Sequence, residues 1–322
     1  MAGHVTVLLR ETVDSLGVVP GGSYVDATLG GGGHSAEILS RAGANARLLG
    51  IDRDTFALET AGKRLSSVPG AVTLAHGNHA DIREIALANG FDAVDGVVMD
   101  LGVSSFQLDM PERGFSFRED GPLDMRMDQT RGETAAQLIH RLDADSLAEV
   151  LRDLGEEPNA GRIARMLKRE DEAEPIETTA RLADLVERLV GRRNGRHPAT
   201  RTFQALRMAV NAELPSLTRA LEGALSILRP GGRLAVISFE SLSDRIVKQF
   251  FAAHVGAEKS LQQGGSRWEG ELPAAAWVLR HPLAPSEAEI AANPRSRSAK
   301  LRAIRRLPDG ETAFSKTSEN PG

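Results

Sequence analysis

The residues best suited to chemistry lie around one glycine-rich turn. Tyr24 to Leu29 reads as a buried strand carrying Asp26, and it runs into Gly30-Gly31-Gly32-Gly33-His34-Ser35, a turn and helix start. Glycine lets backbone N–H groups approach a ligand closely, and a helix N-terminus behind it offers donors. Asp52 closes the next apolar run, Leu48-Leu49-Gly50-Ile51, and an acid about 20 positions beyond such a turn commonly grips a ribose. Strand, turn, helix, strand and acid together point to a doubly wound domain that takes an adenosine-containing cofactor. The plain alternative is a glycine-rich surface loop.

Two enzyme classes use that arrangement. A dinucleotide dehydrogenase calls for G-x-G-x-x-G and a second βαβαβ half. Counted from Gly30, the last glycine place falls on Ser35, so the pattern fails. An S-adenosylmethionine enzyme binds one nucleoside, under the pattern acid-x-Gly-x-Gly-x-Gly. Asp26-Ala27-Thr28-Leu29-Gly30-Gly31-Gly32 fits it, with Thr28 in the first glycine place. Leu228-Arg229-Pro230-Gly231-Gly232-Arg233-Leu234 resembles the turn before the fifth strand of class I methyltransferases. Asp100, at the end of Val94-Asp95-Gly96-Val97-Val98-Met99-Asp100, then stands where those enzymes place a residue near the transferred methyl.

Composition narrows the chemistry. The 322 residues contain no cysteine, which excludes disulfides, thiolate metal sites and a cysteine nucleophile. Base modifications that begin with thiolate addition to the ring are excluded with it. No metal is required, and the histidines share no metal-ligand spacing. A hydrophobic content of 41%, no membrane-length apolar run and no signal-peptide pattern make a cytoplasmic location the default expectation, with no membrane partner. Net charge is −5, yet two acid-free basic runs stand out. One holds Arg188, Arg192, Arg193, Arg196, Arg201 and Arg207; the other holds Arg295, Arg297, Lys300, Arg302, Arg305 and Arg306. They are solvated faces or a polyanion site.

The elements that must position these residues alternate. Strands are expected at 24–29, 47–52, 71–76 and 94–100, with helices at 5–16, 35–42, 55–65 and 80–89. From 101 to 128 the chain lacks a period, which inside a compact domain usually marks function. Helical segments follow at 133–141, 145–154, 159–171 and 178–191, then a long helix, or two, from 199 to 228. A strand at 233–239, a helix at 244–253, a loop-like stretch at 260–272 and a last antiparallel pair at 275–280 and 298–306 complete the chain. The expected fold is α/β, a Rossmann-like, mostly parallel sheet of the class I methyltransferase type with an inserted all-helical domain. The expected boundaries are 1–109 with 206–307 for the catalytic domain, 110–205 for the insertion and 308–322 for a disordered tail. Apolar faces on the insertion helices, if exposed, would permit a homodimer.

Longer blocks make a resemblance specific. They are His4-Val5-Thr6-Val7-Leu8-Leu9, Gly31-Gly32-Gly33-His34-Ser35, Gly50-Ile51-Asp52-Arg53-Asp54 and Asp100-Leu101-Gly102-Val103-Ser104-Ser105-Phe106-Gln107-Leu108-Asp109. Further blocks are Arg113 to Phe117, Gly121 to Asp128, His197 to Ala205 and Asn293 to Ser298. Over residues 4–306 the chain resembles the bacterial 16S ribosomal RNA cytosine-N4 methyltransferase family. The resemblance implies methyl transfer from S-adenosylmethionine to the exocyclic N4 of a cytidine in the decoding region. It implies 16S ribosomal RNA or the small ribosomal subunit as partner. Carried over position by position, the cofactor contacts are Gly32, Gly33, His34, Asp52, His79, Asp100 and Gln107. Asp100 is the candidate catalytic residue, either as acceptor of the N4 proton or as a group that only orients the cofactor. The chain departs from the family at His79, usually Phe, and at Glu240 and Ser243, commonly His and Glu, so no catalytic role is hung on the last two.

A paired cytosine cannot present N4 to a buried methyl, so an extruded or single-stranded base is expected. Phe106, Phe115 and Phe117 are candidate stacking platforms or else plugs of a domain junction. The stretch 121–128, with Asp124, Arg126 and Asp128, orders a lid or forms a salt-bridged structural loop. Both basic runs are expected to meet phosphates. Two other functions fit the same motifs: a non-catalytic RNA-binding assembly factor with a vestigial pocket, and a small-molecule N-methyltransferase.

Overall fold

In the computed structural model the described residues are 6–192, 195, 197–260, 266–269 and 274–308. The chain divides into two compact units, Met1–Gly102 with Pro215–Gly322, and Val103–Leu214.

The first unit is built on a seven-stranded sheet of order β3-β2-β1-β4-β5-β9-β8. Its strands are β1 (Ser23–Asp26), β2 (Arg47–Asp52), β3 (Ala71–His76), β4 (Val94–Asp100), β5 (Leu228–Ser238), β8 (Ala275–Trp277) and β9 (Lys300–Arg306). The first five run parallel, while β9 pairs antiparallel with β5 and β8 with β9. β2 and β4 are apolar on both faces, as strands covered by helices on both sides must be. Val25, Leu49, Val97 and Met99 pack on one side with Ile82, Leu217, Leu221 and Phe251. Tyr24, Leu48, Val98 and Ala235 pack on the other with Val13, Ile38, Ala61 and Leu65. The covering helices are α1 (Leu9–Leu16), α2 (Gly33–Ala42), α3 (Thr55–Leu65), α4 (Ile82–Ala88), α11 (Glu213–Ile227) and α12 (Ser241–Val255). Each fully buried Leu, Ile or Val side chain contributes about 1.5–3 kcal/mol, so this double-faced core dominates the unit's stability.

The order 3-2-1-4-5 reverses direction between β1 and β4. In open α/β sheets ligands bind outside the carboxyl ends of the strands at that switch. Asp26, Asp52 and Asp100 are the last residues of β1, β2 and β4.

The second unit contains α5 (Ser105–Asp109), α6 (Ala135–Arg141), α7 (Ala144–Asp153), α8 (Ala160–Ala173), α9 (Thr179–Val190) and α10 (Thr200–Val210). Phe115, Leu123, Met125, Ile139, Leu151, Leu167, Val186 and Phe203 form its core. Val103 and Leu108 pack on that core and α10 supplies Ala205 and Leu206. The segment belonging to this unit therefore runs from Val103 to Leu214, wider than the expected 110–205.

Several expected boundaries shift for visible reasons. α1 starts at Leu9 because Leu8 is left-handed, φ 49°, with its N–H donated to Glu289 Oε1 at 2.8 Å. The expected long helix at 199–228 is two, broken at Ala212 with φ 46°. The stretch expected to be loop-like holds β7 (Ser266–Glu269), antiparallel to β6 (Ala257–Ser260). Short polar strands of this kind carry no clean alternation to read. α13 (Glu287–Ala292) lies in the span between β8 and β9. The expected tail falls outside the described residues from 309 onward. No helix among the described residues is long and apolar enough to cross a membrane.

Leu182 and Val186 of α9, an insertion helix, are 0% exposed, packed within the helical unit. The exposed large apolar side chains among the described residues are Val19, Phe56, Leu74 and Leu87, all in the sheet unit.

Candidate active site

β1 stops at Asp26 because the chain leaves the ladder to form the turn. Ala27 N–H still reaches Val98 O at 2.9 Å, and Leu29 N–H reaches Ile51 O at 3.0 Å. Gly32 caps α2 at φ 71°, a conformation costly for any residue with a side chain. A Cβ on Gly33 would come within 1.9 Å of Thr6 Oγ1. The packing of the protein itself thus demands these two glycines. At Gly30 the opposite holds: a Cβ there would meet nothing closer than Thr28 O at 3.9 Å, so its side of the turn is open.

The three acids are wired to the turn. Asp26 is 2% exposed; its Oδ2 accepts from Ser35 Oγ at 2.7 Å and its Oδ1 from Thr28 N–H at 3.2 Å. Asp52 Oδ2 accepts from Gly30 N–H at 2.8 Å and its Oδ1 from Asp54 N–H at 2.9 Å. Asp100 donates its backbone N–H to Thr28 Oγ1 at 2.6 Å. Its carboxyl, 25% exposed, lies 3.9 Å from His34 Nδ1 through Oδ2, while Oδ1 is buried with no hydrogen-bond partner. His34 is buried, with Nε2 at 3.1 Å from Val7 O.

Burial is the largest influence on the protonation of this cluster. Desolvation, reinforced by the charge of Asp26, pushes Asp100 up to about 8. Desolvation pushes Asp26 up to about 6, against hydrogen bonds from Ser35 and Thr28 that favour its ionised form. Asp52 is raised for the same first reason. His79 opens a single 3-10 turn (His79–Asp81) after β3; burial and the nearby Arg53 charge drop it to about 3, so its ring is neutral. Asn78 holds that turn in place. It caps Ala80 N–H at 3.0 Å, donates to Ser216 Oγ at 3.2 Å and accepts from Arg53.

The sheet unit thus brings together Gly32, Gly33, His34, Asp52, His79 and Asp100. Gln107 lies in the other unit. It is buried there and completes a capping box, its Oε1 accepting Ser104 N–H at 3.0 Å. Sequence reasoning placed Asp26 in the turn pattern but missed the roles of Thr28, Ser35 and Asn78. Thr28 in a glycine's place was the one readable signal. Glu240 precedes α12 and Ser243 is buried in its first turn.

The residues fit a compact, cationic, adenosine-bearing ligand. Asp100 offers a buried carboxylate oxygen with no partner, Gly30 leaves a gap, and His79 offers an uncharged ring. A pyrophosphate, doubly anionic, would be repelled by the same acids.

In the helical unit Phe115 is 7% exposed in the core, so it is a packing residue and not a platform. Phe117 meets His197 at 4.6 Å and Phe203 edge-on at 4.8 Å between ring centroids. The 121–128 stretch is clamped. Asn211 accepts Met127 N–H at 2.8 Å and donates to Met125 O at 2.8 Å, and Arg113 donates to Arg126 O and Met127 O. Asp124 holds Arg126 through both oxygens, at 2.8 and 2.9 Å. This is the structural loop, not a lid. The basic runs are also partly spent. Arg302 and Lys300 bind Asp244, Arg306 binds Leu228 O, and Arg192 pairs with Glu187. Arg295 and Arg297 are exposed at the surface, and Arg193 and Arg196 lie outside the described residues.

A switch point between β1 and β4, a glycine turn suited to one nucleoside and acids at the ends of β1, β2 and β4 mark a class I methyltransferase that uses S-adenosylmethionine. Comparison with known proteins agrees. A family model described as the MraW methylase family matches residues 1–307. A protein named ribosomal RNA small subunit methyltransferase H from Symbiobacterium thermophilum is 50% identical over 313 residues, covering 96% of this chain and 98% of that protein. One of the same name from Syntrophotalea carbinolica is 50% identical over 307 residues, covering 94% and 98%. Another, from Bradyrhizobium diazoefficiens, is 49% identical over 310 residues, covering 95% and 92%. The chain belongs to the MraW methylase family.

Proposed function

We propose that this enzyme transfers the methyl of S-adenosylmethionine to the exocyclic N4 of a cytidine in the decoding region of 16S ribosomal RNA, acting in the cytoplasm on the RNA or the small subunit. The observation that carries this reading is the gathering of Asp26, Asp52 and Asp100 at adjacent strand ends around a glycine turn, in a chain without cysteine.

S-adenosylmethionine supplies an electrophilic methyl on a cationic sulfur. Asp52 would grip the ribose hydroxyls while it holds the turn through Gly30. The neutral His79 ring would lie against adenine. Asp100 would accept the N4 hydrogen as that nitrogen pyramidalises, and Thr28 fixes where Asp100 sits. N4 is a weak nucleophile because its lone pair is delocalised, so in-line placement and aimed dipoles supply most of the rate. Gln107 is read as a further cofactor contact, and the exposed Arg295 and Arg297 as RNA contacts, with RNA binding that falls steeply with salt.

The test is incubation of unmethylated small-subunit particles with methyl-labelled S-adenosylmethionine, followed by mass mapping of the RNA. N4-methylcytidine at one site is expected. Label on free nucleosides alone would favour a small-molecule enzyme, and no transfer with tight RNA binding would favour an assembly factor.

A further inference from the structure

The chain just before α1 rests on the glycine turn. Thr6 lies so close to the start of α2 that a Cβ on Gly33 would come within 1.9 Å of its Oγ1. Val7 O accepts from His34 Nε2 at 3.1 Å. Two consecutive residues of this segment thus meet Gly33 and His34, both read as cofactor contacts. Leu8 follows, 1% exposed, in the same core as Leu29 and Ile38. Its backbone is left-handed, φ 49° and ψ 36°, a conformation that a residue with a side chain keeps only where its surroundings impose it.

One contact holding the segment comes from far along the chain. Leu8 is the N-cap of α1, and an N-cap N–H is ordinarily taken by a Glu or Gln in the first turn of the same helix. Here Glu289 Oε1, 281 positions away, accepts it at 2.8 Å. A carboxylate at a helix N-terminus also suits the helix dipole. Glu289 stands on a support pinned at both ends. Before it, Leu283 exchanges both backbone hydrogen bonds with Leu301 of β9, at 2.9 and 2.8 Å. Ser286 Oγ caps α13 by accepting Glu289 N–H at 3.2 Å. After it, Asn293 N–H returns to Glu289 O at 2.7 Å, and the 3-10 turn Pro294–Ser298 buries Ser296. Ala299 and Leu301 then enter the core that holds Val7 and Leu8.

We propose that Glu289 is a positioning residue for the cofactor site: its hydrogen bond to Leu8 N–H seats Thr6 and Val7 on Gly33 and His34, and so presets the turn that receives S-adenosylmethionine. Glu289 acts through Leu8 and Val7 and not by touching the ligand. Without the bond the segment samples other placements, and apparent affinity falls by the fraction of molecules that keep it seated. Bound ligand reseats it, so turnover at saturation is preserved. This inference rests on the methyltransferase reading of the site.

Calorimetric titration of the full chain with S-adenosylmethionine, beside steady-state transfer to small-subunit RNA, tests this. Glu289→Ala removes the acceptor and should raise Kd roughly tenfold, the loss expected when about one molecule in ten keeps the segment seated. KM for S-adenosylmethionine should rise with it, while kcat stays within about twofold of wild type. Glu289→Gln keeps an acceptor oxygen at the same reach and should hold Kd within about threefold. Thermal melts report the folding of both variants. In the wild type, saturating ligand should slow hydrogen exchange at the Leu8 amide, a readout that needs no variant to fold. An unchanged Kd in folded Glu289→Ala would overturn the proposal, because the bond would then serve stability alone. So would Glu289→Gln binding as weakly as Glu289→Ala, a fall in kcat with KM unchanged, or Leu8 exchange indifferent to ligand. Failure of the wild type to bind S-adenosylmethionine would instead overturn the methyltransferase reading.

Discussion

At the ends of β1, β2 and β4, none of Asp26, Asp52 and Asp100 accepts a hydrogen bond from arginine or lysine among the described residues, and burial raises all three. In the 121–131 stretch of the helical unit, Asp124 and Asp128 are also sheltered. Desolvation pushes these two up as well, but hydrogen bonds outweigh it, from Arg126 to Asp124 and from Thr130 and Arg131 to Asp128, and both end below the ordinary value. One residue type has opposite electrostatics. An acid given its cation is a fastener. An acid denied one is held at a cost to stability and is available to a ligand, which is how perturbed groups come to mark sites. Asp244, gripped by Arg302 and Lys300 in the sheet unit, shows that the contrast follows pairing and not the choice of unit.

The contrast can be broken most forcefully at a paired acid. Asp244→Ala leaves the buried Arg302 without its partner and should cost about 3–5 kcal/mol of stability in denaturant melts, without lowering S-adenosylmethionine affinity of the folded fraction. Next comes Asp52→Asn, which keeps the shape and loses the charge at the ribose. Affinity for S-adenosylmethionine should fall by roughly 10–100-fold, the worth of a charge-assisted hydrogen bond, and stability by about 1–3 kcal/mol, because the amide NH2 faces one of the two backbone N–H groups the carboxylate accepts. Thr28→Val removes the acceptor for Asp100 N–H. It should cost about 1–3 kcal/mol and lower turnover, with Thr28→Ser restoring both.

The last effect carries a sign. Asp100 has an ordinary value of 3.8 and a folded value of about 8. Its contribution to stability is fully present below pH 4 and is lost as pH rises toward 8. Asp244, depressed in the fold, contributes above its unfolded value and loses that contribution as pH falls below about 4. Asp100→Asn should therefore raise the melting temperature by a few degrees at pH 8 and flatten its decline between pH 4 and 8. A melting curve indifferent to this substitution would remove the distinction between the two kinds of acid.

The parallel strands were legible because each is a short apolar run between turn signals. β2, β3, β4 and α3 lie where periodicity puts them. The glycine turn and its acids were legible by spacing. What could not be read depends on contacts distant in the chain. Thr28 reaches Asp100 across the sheet, His34 reaches back to Val7, and Asn211 reaches back to Met125 and Met127. No local pattern encodes such partners. The arginine runs misled for the same reason: Arg302 looks free in sequence and is buried against Asp244 in the fold. Phe115 likewise looked like a platform and is core.

The central claim is that Asp100, at the end of β4, serves the methyl-transfer step. Single-turnover transfer to small-subunit RNA at saturating S-adenosylmethionine, wild type against Asp100→Asn, tests it most directly, with ligand affinity measured separately. The rate should fall by about 10²–10⁴-fold while affinity falls far less, as for loss of a proton acceptor. Equal losses in rate and affinity, or wild-type turnover once the variant is saturated, would contradict it and leave Asp100 a cofactor ligand alone.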